Sequence, residues 1–294
     1  MAATRFFSLL KRASLRAFEH DIFGIAKAAA YSGVITLFPA LLVLAAILAT
    51  SNQRDLLENL VTSAIGRILP RGTSDAALRY FSHRQSRPIG TLIGTSLATM
   101  WTASGMMVSW MEGFRQAYQL PKIWGTVKQR LVAIYLVVLS FIPMTFATAL
   151  VAFGEEIERW SIENSAHELT TLIFLLWTAL RWVISAITSI AVIALIYHHA
   201  VPRTQRWHTV LPGAVFATAV WFAATMGFGW YLTHVSEYSL IYGSVGVSIA
   251  LLVWMYLVSL IVLFGAEFNA LLFPRAVTIE GAERALSQEN VQVS

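Results

Sequence analysis

The chain has 294 residues, 57% hydrophobic and 13% charged, with a mean hydropathy of +0.64. Soluble domains carry roughly 45–50% apolar and about 25% charged residues, so an ordinary soluble domain is excluded and the chain reads as an integral membrane protein. The absence of cysteine removes disulfides, thiolate metal sites and cysteine nucleophiles together, and in a membrane chain the net charge of +5 is a matter of sidedness rather than of nucleic acid.

In chain order, a basic N-terminal segment with Arg5, Lys11, Arg12, Arg16 and Lys27 precedes the first apolar run. That run continues through Pro39 to Ala49 with no small-residue cleavage pattern, and it reads as a retained span rather than a signal peptide. Six stretches are long enough to cross a bilayer: residues 28–50, 89–110, 131–153, 171–197, 210–233 and 244–273. All are expected to be helices, because an open sheet leaves backbone groups unbonded in lipid. Between the first two, Leu56, Leu57, Leu60, Val61, Ala64, Ile65 and Ile68 recur at helical spacing, and a second short helix is expected from Asp75 through Phe81. The expected fold is therefore all-α: a polytopic bundle of six transmembrane helices with an amphipathic helical hairpin at residues 51–88, forming one domain over residues 1–274, and a mobile polar tail at 275–294.

Loop charges orient the spans. The N-terminal segment and the second connection, with Arg115, Lys122, Lys128 and Arg130, are basic, as are the fourth, with Arg203 and Arg206, and the tail, with Arg275 and Arg284. The third is acidic, with Glu155, Glu156, Glu158, Glu163 and Glu168 against Arg159. Both termini are thus expected in the cytoplasm. The first connection opposes this pattern, carrying Arg54, Arg67, Arg71, Arg79, Arg84 and Arg87 on the outer side, where they could meet lipid phosphates.

Four segments carry a resemblance: AAAYSGVITLFPALL from Ala28, LATMWTASGMMVSWMEGFRQAY from Leu97, IYHHAVPRTQRWHTVLPGAVFATAVW from Ile196, and IYGSVGVSIALLVWMYLVSLIVLFGAEFNA from Ile241. Together they resemble the YihY/BrkB family of bacterial inner-membrane proteins, once described as ribonuclease BN. The resemblance implies six helices with both termini cytoplasmic, and an association with envelope integrity and with the export or flipping of lipid precursors.

Ionisable groups inside a span cost about 2.5–3.5 kcal/mol on insertion scales, so each is a functional candidate. Arg181 is the clearest, followed on its helical face by Ser185 and Thr188, with no Asp or Glu at its depth in another span. Its fork of donors suits a phosphate or carboxylate; the alternative is a bond to exposed carbonyls or an outward snorkel. The second span is rich in hydroxyls, among them Thr95, Thr99 and Thr102, which either serve helix packing or line a polar groove beside Arg181, should the second and fourth spans be neighbours. Glu267 ends the last apolar run at the depth of Lys27, so a structural Lys27–Glu267 ion pair is expected, with Lys128 or Arg130 as other partners and a proton relay as the other role. Asn269 is expected to bond an adjacent helix terminus. Pro39 and Pro143 should bend the first and third spans, and Gly243 and Gly246 suggest close packing or an unwound start of the last.

His198, His199 and His208 near Arg203 and Arg206 lack the carboxylate and spacing of a metal site and better suit anionic lipid. The acidic connection reads as a solvated loop rather than a cation site. No phosphate loop for ATP is present, and no cofactor, metal or nucleic-acid partner is expected. The sequence thus points to a non-enzymatic, transporter-like protein of the bacterial inner membrane acting on an anionic phospholipid or a lipid A-type precursor. A non-transporting envelope scaffold is the alternative and an ion channel the third; a second copy or another envelope protein is a further partner to consider.

Overall fold

The computed structural model describes residues 2–50, 89–163, 170–202, 206–234 and 238–273. Among these, all regular structure is helical: α1 (Ala2–Glu19), α2 (Ile22–Thr50), α3 (Ile89–Ala117), α4 (Thr126–Glu163), α5 (Thr170–His199), α6 (Trp207–His234) and α7 (Tyr238–Leu272). The all-α expectation holds. The count of spans does not reach six among the described residues: Thr126–Thr145, Ala179–His199, Trp207–Tyr231 and Ser248–Leu272 are long and apolar enough to cross, and Ile22–Leu37 is a shorter apolar stretch. On α3 the hydroxyls dilute the apolar character. The amphipathic segment at 51–88 and the tail at 275–294 lie outside the described residues.

The helices pack in cyclic order. Each of α2 to α6 lies against the next, α7 returns to α2 and also touches α3, and α1 lies on α7 and α2. Burial is concentrated at one end of this ring, here called the base, where α2, α4 and α6 begin and α3, α5 and α7 finish. Its buried residues run to Gly33 on α2, Leu136 on α4 and Thr218 on α6, and from Ser104 on α3, Ser189 on α5 and Ser259 on α7. Phe114, Leu136, Tyr197, Val210 and Leu263 fill the base core. Outward apolar side chains such as Leu97, Phe141, Val183, Ile187 and Met226 are exposed, as a lipid-facing surface requires.

The basic N-terminal segment is itself a helix. On α1, Ala13 and Ala17 are fully buried while Lys11, Arg12, Leu15 and Phe18 face outward, an amphipathic division in which two small residues let the helix approach α7 and α2 closely. The turn into α2 is made at Asp21, whose φ of 46° is left-handed and whose Oδ1 accepts the Gly24 amide at 3.3 Å, capping the new helix. A Cβ at residue 24 would meet that carboxylate, which would have to turn aside and loosen the cap.

α3 ends in a Schellman motif: Leu120 N–H donates to Arg115 O at 2.9 Å, Gln119 N–H to Gln116 O at 2.9 Å, and Gln119 takes φ 51°. Arg115 reinforces it, donating from Nη1 to Leu120 O at 2.9 Å and from Nε to Glu112 Oε2 at 3.0 Å. That guanidinium holds the Glu112 carboxyl below its ordinary value of 4.5. A depressed carboxylate contributes stability that is present above the ordinary value and is lost as pH falls through the folded one. Because both side chains are about a third exposed, Glu112→Gln should cost no more than about 0.5 kcal/mol at pH 7. Melting curves at pH 7 and in acid should show the gap between variant and parent closing as pH falls.

Candidate functional site

Three polar links tie the base together. The first joins α1 to α7: His20 Nδ1 and Glu267 Oε1 stand 2.5 Å apart in a hydrogen bond, with Glu267 fully buried and His20 15% exposed. This corrects the expected Lys27–Glu267 pair. Lys27 is exposed and forms no ion pair among the described residues; it is His20, at the end of α1, that meets the carboxylate. Nor do the other two candidates reach the carboxylate. Lys128 lies 5.9 Å over the Trp124 ring, while Arg130 lies 4.3 Å over Trp101 and donates from Nη2 to Trp101 O at 2.9 Å.

The second link joins α5 to α7, where Tyr197 donates its hydroxyl to Val262 O at 2.5 Å and meets Phe114 of α3 edge-on at 5.2 Å. The third joins α6 to α7. Pro212 withdraws a donor from the first turns of α6, and Asn269 works at that interruption: its Oδ1 accepts the Gly213 amide at 2.7 Å and its Nδ2 donates to Val210 O at 3.0 Å. The expected bond from Asn269 to a neighbouring helix end is there. Gly213 and Gly265 face each other at this crossing so closely that a Cβ on either would overlap the other's carbonyl oxygen, a small-residue contact of the kind that lets membrane helices pack backbone to backbone.

Arg181 sits in the other half of the bundle. It is half-buried on α5 within the span Ala179–His199, and its Nη1 is buried without a hydrogen-bond partner among the described residues. The expected surroundings are only partly brought to it. Ser185 and Thr188 follow it along α5, both half-buried. Thr95, Thr99 and Thr102 are on α3, separated from α5 in the ring by α4; α3 and α5 meet at the base, where Phe114 touches Tyr197. The α3 hydroxyls turn back on their own helix, Thr99 Oγ1 donating to Thr95 O at 2.8 Å and Thr102 Oγ1 to Ala98 O at 3.0 Å. Ser104 does likewise to Trp101 O at 2.7 Å. Thr99, Thr102 and Ser104 thus bond within their own helix, as helix packing requires, and α4 lies between α3 and α5 in the ring.

Other sequence candidates fall into place as structure. α2 and α4 run through Pro39 and Pro143 without interruption. α7 is helical through Gly243 and Gly246, so the unwound start does not occur. Glu155, Glu156, Glu158 and Glu163 belong to the last turns of α4 rather than to a loop. His198 stacks on Trp207 at 4.2 Å and His199 donates from Nδ1 to Leu195 O at 3.1 Å, joining the end of α5 to the start of α6. No group of three His, Cys, Asp or Glu able to hold a metal occurs among the described residues.

The base links use residues from three of the four segments singled out in the sequence, and a family model described as Virulence factor BrkB matches residues 13–288. The chain belongs to the BrkB family. This BrkB chain is 31% identical to the putative ribonuclease-like protein YfkH of Bacillus subtilis over 61% of its own length and 64% of that protein. A UPF0761 membrane protein of Tolumonas auensis is 30% identical over 51% of the chain and 49% of the relative. Another, of Rhodospirillum centenum, is 25% identical over 97% of the chain and 63% of the relative. The chain thus spans between about half and two thirds of these curated relatives. No solved structure matches it significantly.

Two residues at the base escaped the sequence reading. The charges of the N-terminal segment hide the signal for His20; placed on a helix, it follows Ala13 and Ala17 by seven and three residues and lies on their buried face. Gly213 gave no signal of its own, since its partners lie 52 and 56 residues away in sequence, at Gly265 and Asn269.

Proposed function

We propose that this membrane protein moves an anionic amphiphile, a phospholipid or a lipid A-type precursor, between the leaflets of the bacterial inner membrane, with both termini in the cytoplasm. The observation that carries the reading is Arg181: a guanidinium within an apolar span, with a buried Nη1 that no side chain or carbonyl of the described residues satisfies. Such a donor costs free energy unless an anion takes it up, and it stands on α5 beyond the bonded base, sixteen residues from Tyr197. The reading involves no covalent chemistry and no metal. The ribonuclease-like wording attached to the Bacillus protein finds no acid–base cluster here among the described residues to carry it over.

The test is lipid movement in proteoliposomes carrying fluorescent phosphatidylglycerol. The parent should exceed protein-free vesicles, Arg181→Ala should lower the protein-dependent rate by at least about tenfold, the worth of a charge-assisted bond, and Arg181→Lys should retain part of it. A parent no faster than empty vesicles, or an unchanged Arg181→Ala, sinks the reading. A scaffold is the second reading, drawing on the tightly bonded base, and would show no lipid movement with an intact fold.

A further inference from the structure

Arg181 is not alone in holding a buried donor without an acceptor. On the neighbouring helix α6, the indole Nε1 of Trp221 and the hydroxyl of Thr218 are also buried with no hydrogen-bond partner among the described residues, and Thr218 as a whole is only 3% exposed. A threonine in a helix ordinarily bonds back to the carbonyl one turn before it, as Thr99 and Thr225 do here. Thr218 does not.

Helix geometry brings the three groups together. On α5, Arg181 shares a stripe with Ser185, Ser189, Val192 and Ile196, at intervals of four, eight, eleven and fifteen residues, and the last three of these are buried. On α6, Val210, Ala214 and Thr218 form a buried stripe, and Trp221 continues it at a spacing of eleven from Val210. Both stripes therefore face the interior of the ring. The ring contact of Trp182 with Phe222, 6.2 Å between centroids, fixes the register of these antiparallel helices. Arg181 and Trp221 each lie one residue from that contact, about 3 Å apart along the axis, and Thr218 lies about one turn nearer the base.

Their chemistry restricts the ligand. Guanidinium and indole are donors only, and a hydroxyl can donate. Neither α5 nor α6 contains an Asp or Glu to neutralise the arginine. The arginine's charge repels a cation, and a neutral ligand would leave that charge unmatched. We infer that Arg181, Trp221 and Thr218 form a three-donor site for a phosphate-type oxyanion held between α5 and α6. The inference rests on the reading of Arg181 given above and adds to it the two α6 residues and the class of headgroup. A phosphate offers several acceptor oxygens to donors arriving from two helices, which a planar carboxylate cannot do as well.

Binding by the full-length protein in zwitterionic nanodiscs tests this, with tryptophans labelled as 5-fluorotryptophan and the Trp221 fluorine signal assigned from Trp221→Phe. The probes are inorganic phosphate and a short-chain phosphatidic acid, with short-chain diacylglycerol as the phosphate-free control. The Trp221 signal should shift with a phosphate probe and not with diacylglycerol. Thr218→Val, nearly the same shape, should weaken binding roughly tenfold, as loss of one donor to a charged group does, and Trp221→Phe, followed through the displaced signals of other tryptophans, should do the same. A response to phosphatidic acid alone assigns a lipid source; a response to inorganic phosphate alone keeps the site and assigns a soluble one. If Thr218→Val and Trp221→Phe bind as the parent does while Arg181→Ala does not, the three-donor site is overturned and the Arg181 reading stands. If Arg181→Ala also binds normally, both fall. Should Trp221→Phe fail to fold, the Thr218→Val comparison decides.

Discussion

Gly265→Ala will leave little folded protein. The added Cβ would meet the Tyr197 hydroxyl, the Ala217 Cβ and the Gly213 carbonyl oxygen at once, all inside van der Waals contact. The obstacles come from two helices, and one is backbone, which cannot rotate aside as a flexible side chain can. Overpacking ordinarily costs about 1–3 kcal/mol, and this site belongs at or above the upper end. Relief would require α7 to lift from α6, which would break the Asn269 bonds to Gly213 and Val210 and the Tyr197 bond to Val262. The comparison is Gly227→Ala on α6, where an added Cβ meets nothing within 4 Å and alanine's better helix propensity favours the variant by up to about 1 kcal/mol. Thermal melts and size-exclusion profiles in detergent should separate the two widely; equal melting temperatures would mean that α6 and α7 do not cross this closely.

His20→Ala alone should be worse than His20→Ala combined with Glu267→Gln. Glu267 is fully buried, and one of its oxygens already lacks a partner. Removing the imidazole leaves a carboxylate whose remaining charged neighbours are Arg16 and Glu19 of α1, which act on it with opposite sign. Breaking one side of a buried pair costs about 3–5 kcal/mol, whereas replacing both sides with uncharged groups is often close to neutral. The single variant should therefore melt well below the parent and the double variant recover much of the loss. A double variant no more stable than the single would show that Glu267 is not held as a charged partner of His20.

These two predictions divide cleanly in how visible they were in the sequence. That the protein is an all-helical membrane protein follows from composition and from apolar runs of bilayer length, and the four described spans overlap the expected segments. Local signals also sufficed for Asn269, an amide at the end of an apolar run that had to find a polar partner on a neighbouring helix. Glu267 was placed at the correct depth but given the wrong partner, because depth is a one-dimensional coordinate and cannot distinguish Lys27 from His20. Only the left-handed turn at Asp21 makes that choice, and one aspartate in such a turn is indistinguishable in sequence from an aspartate in an ordinary cap. The α3 hydroxyls were grouped with Arg181 for a similar reason. Residues of like depth were assumed to share a space, whereas the order of helices round the ring sets α4 between them. Thr218 and Trp221 were invisible because a threonine and a tryptophan in an apolar span are commonplace; what marks them is the missing acceptor, a property of the packed structure.

The Tyr197 hydroxyl, bonded to a carbonyl in the body of α7 rather than at its end, has a consequence for motion. A helix held at one level by a directional bond can neither slide nor turn about its axis without breaking it, so rigid translation of α5 past α7 is closed off as a route of movement. The freedom left to α5 is flexure above that level, with displacement growing from nothing at the tyrosine to its greatest value at the far end. Arg181, sixteen residues beyond the pivot, rides on the long arm.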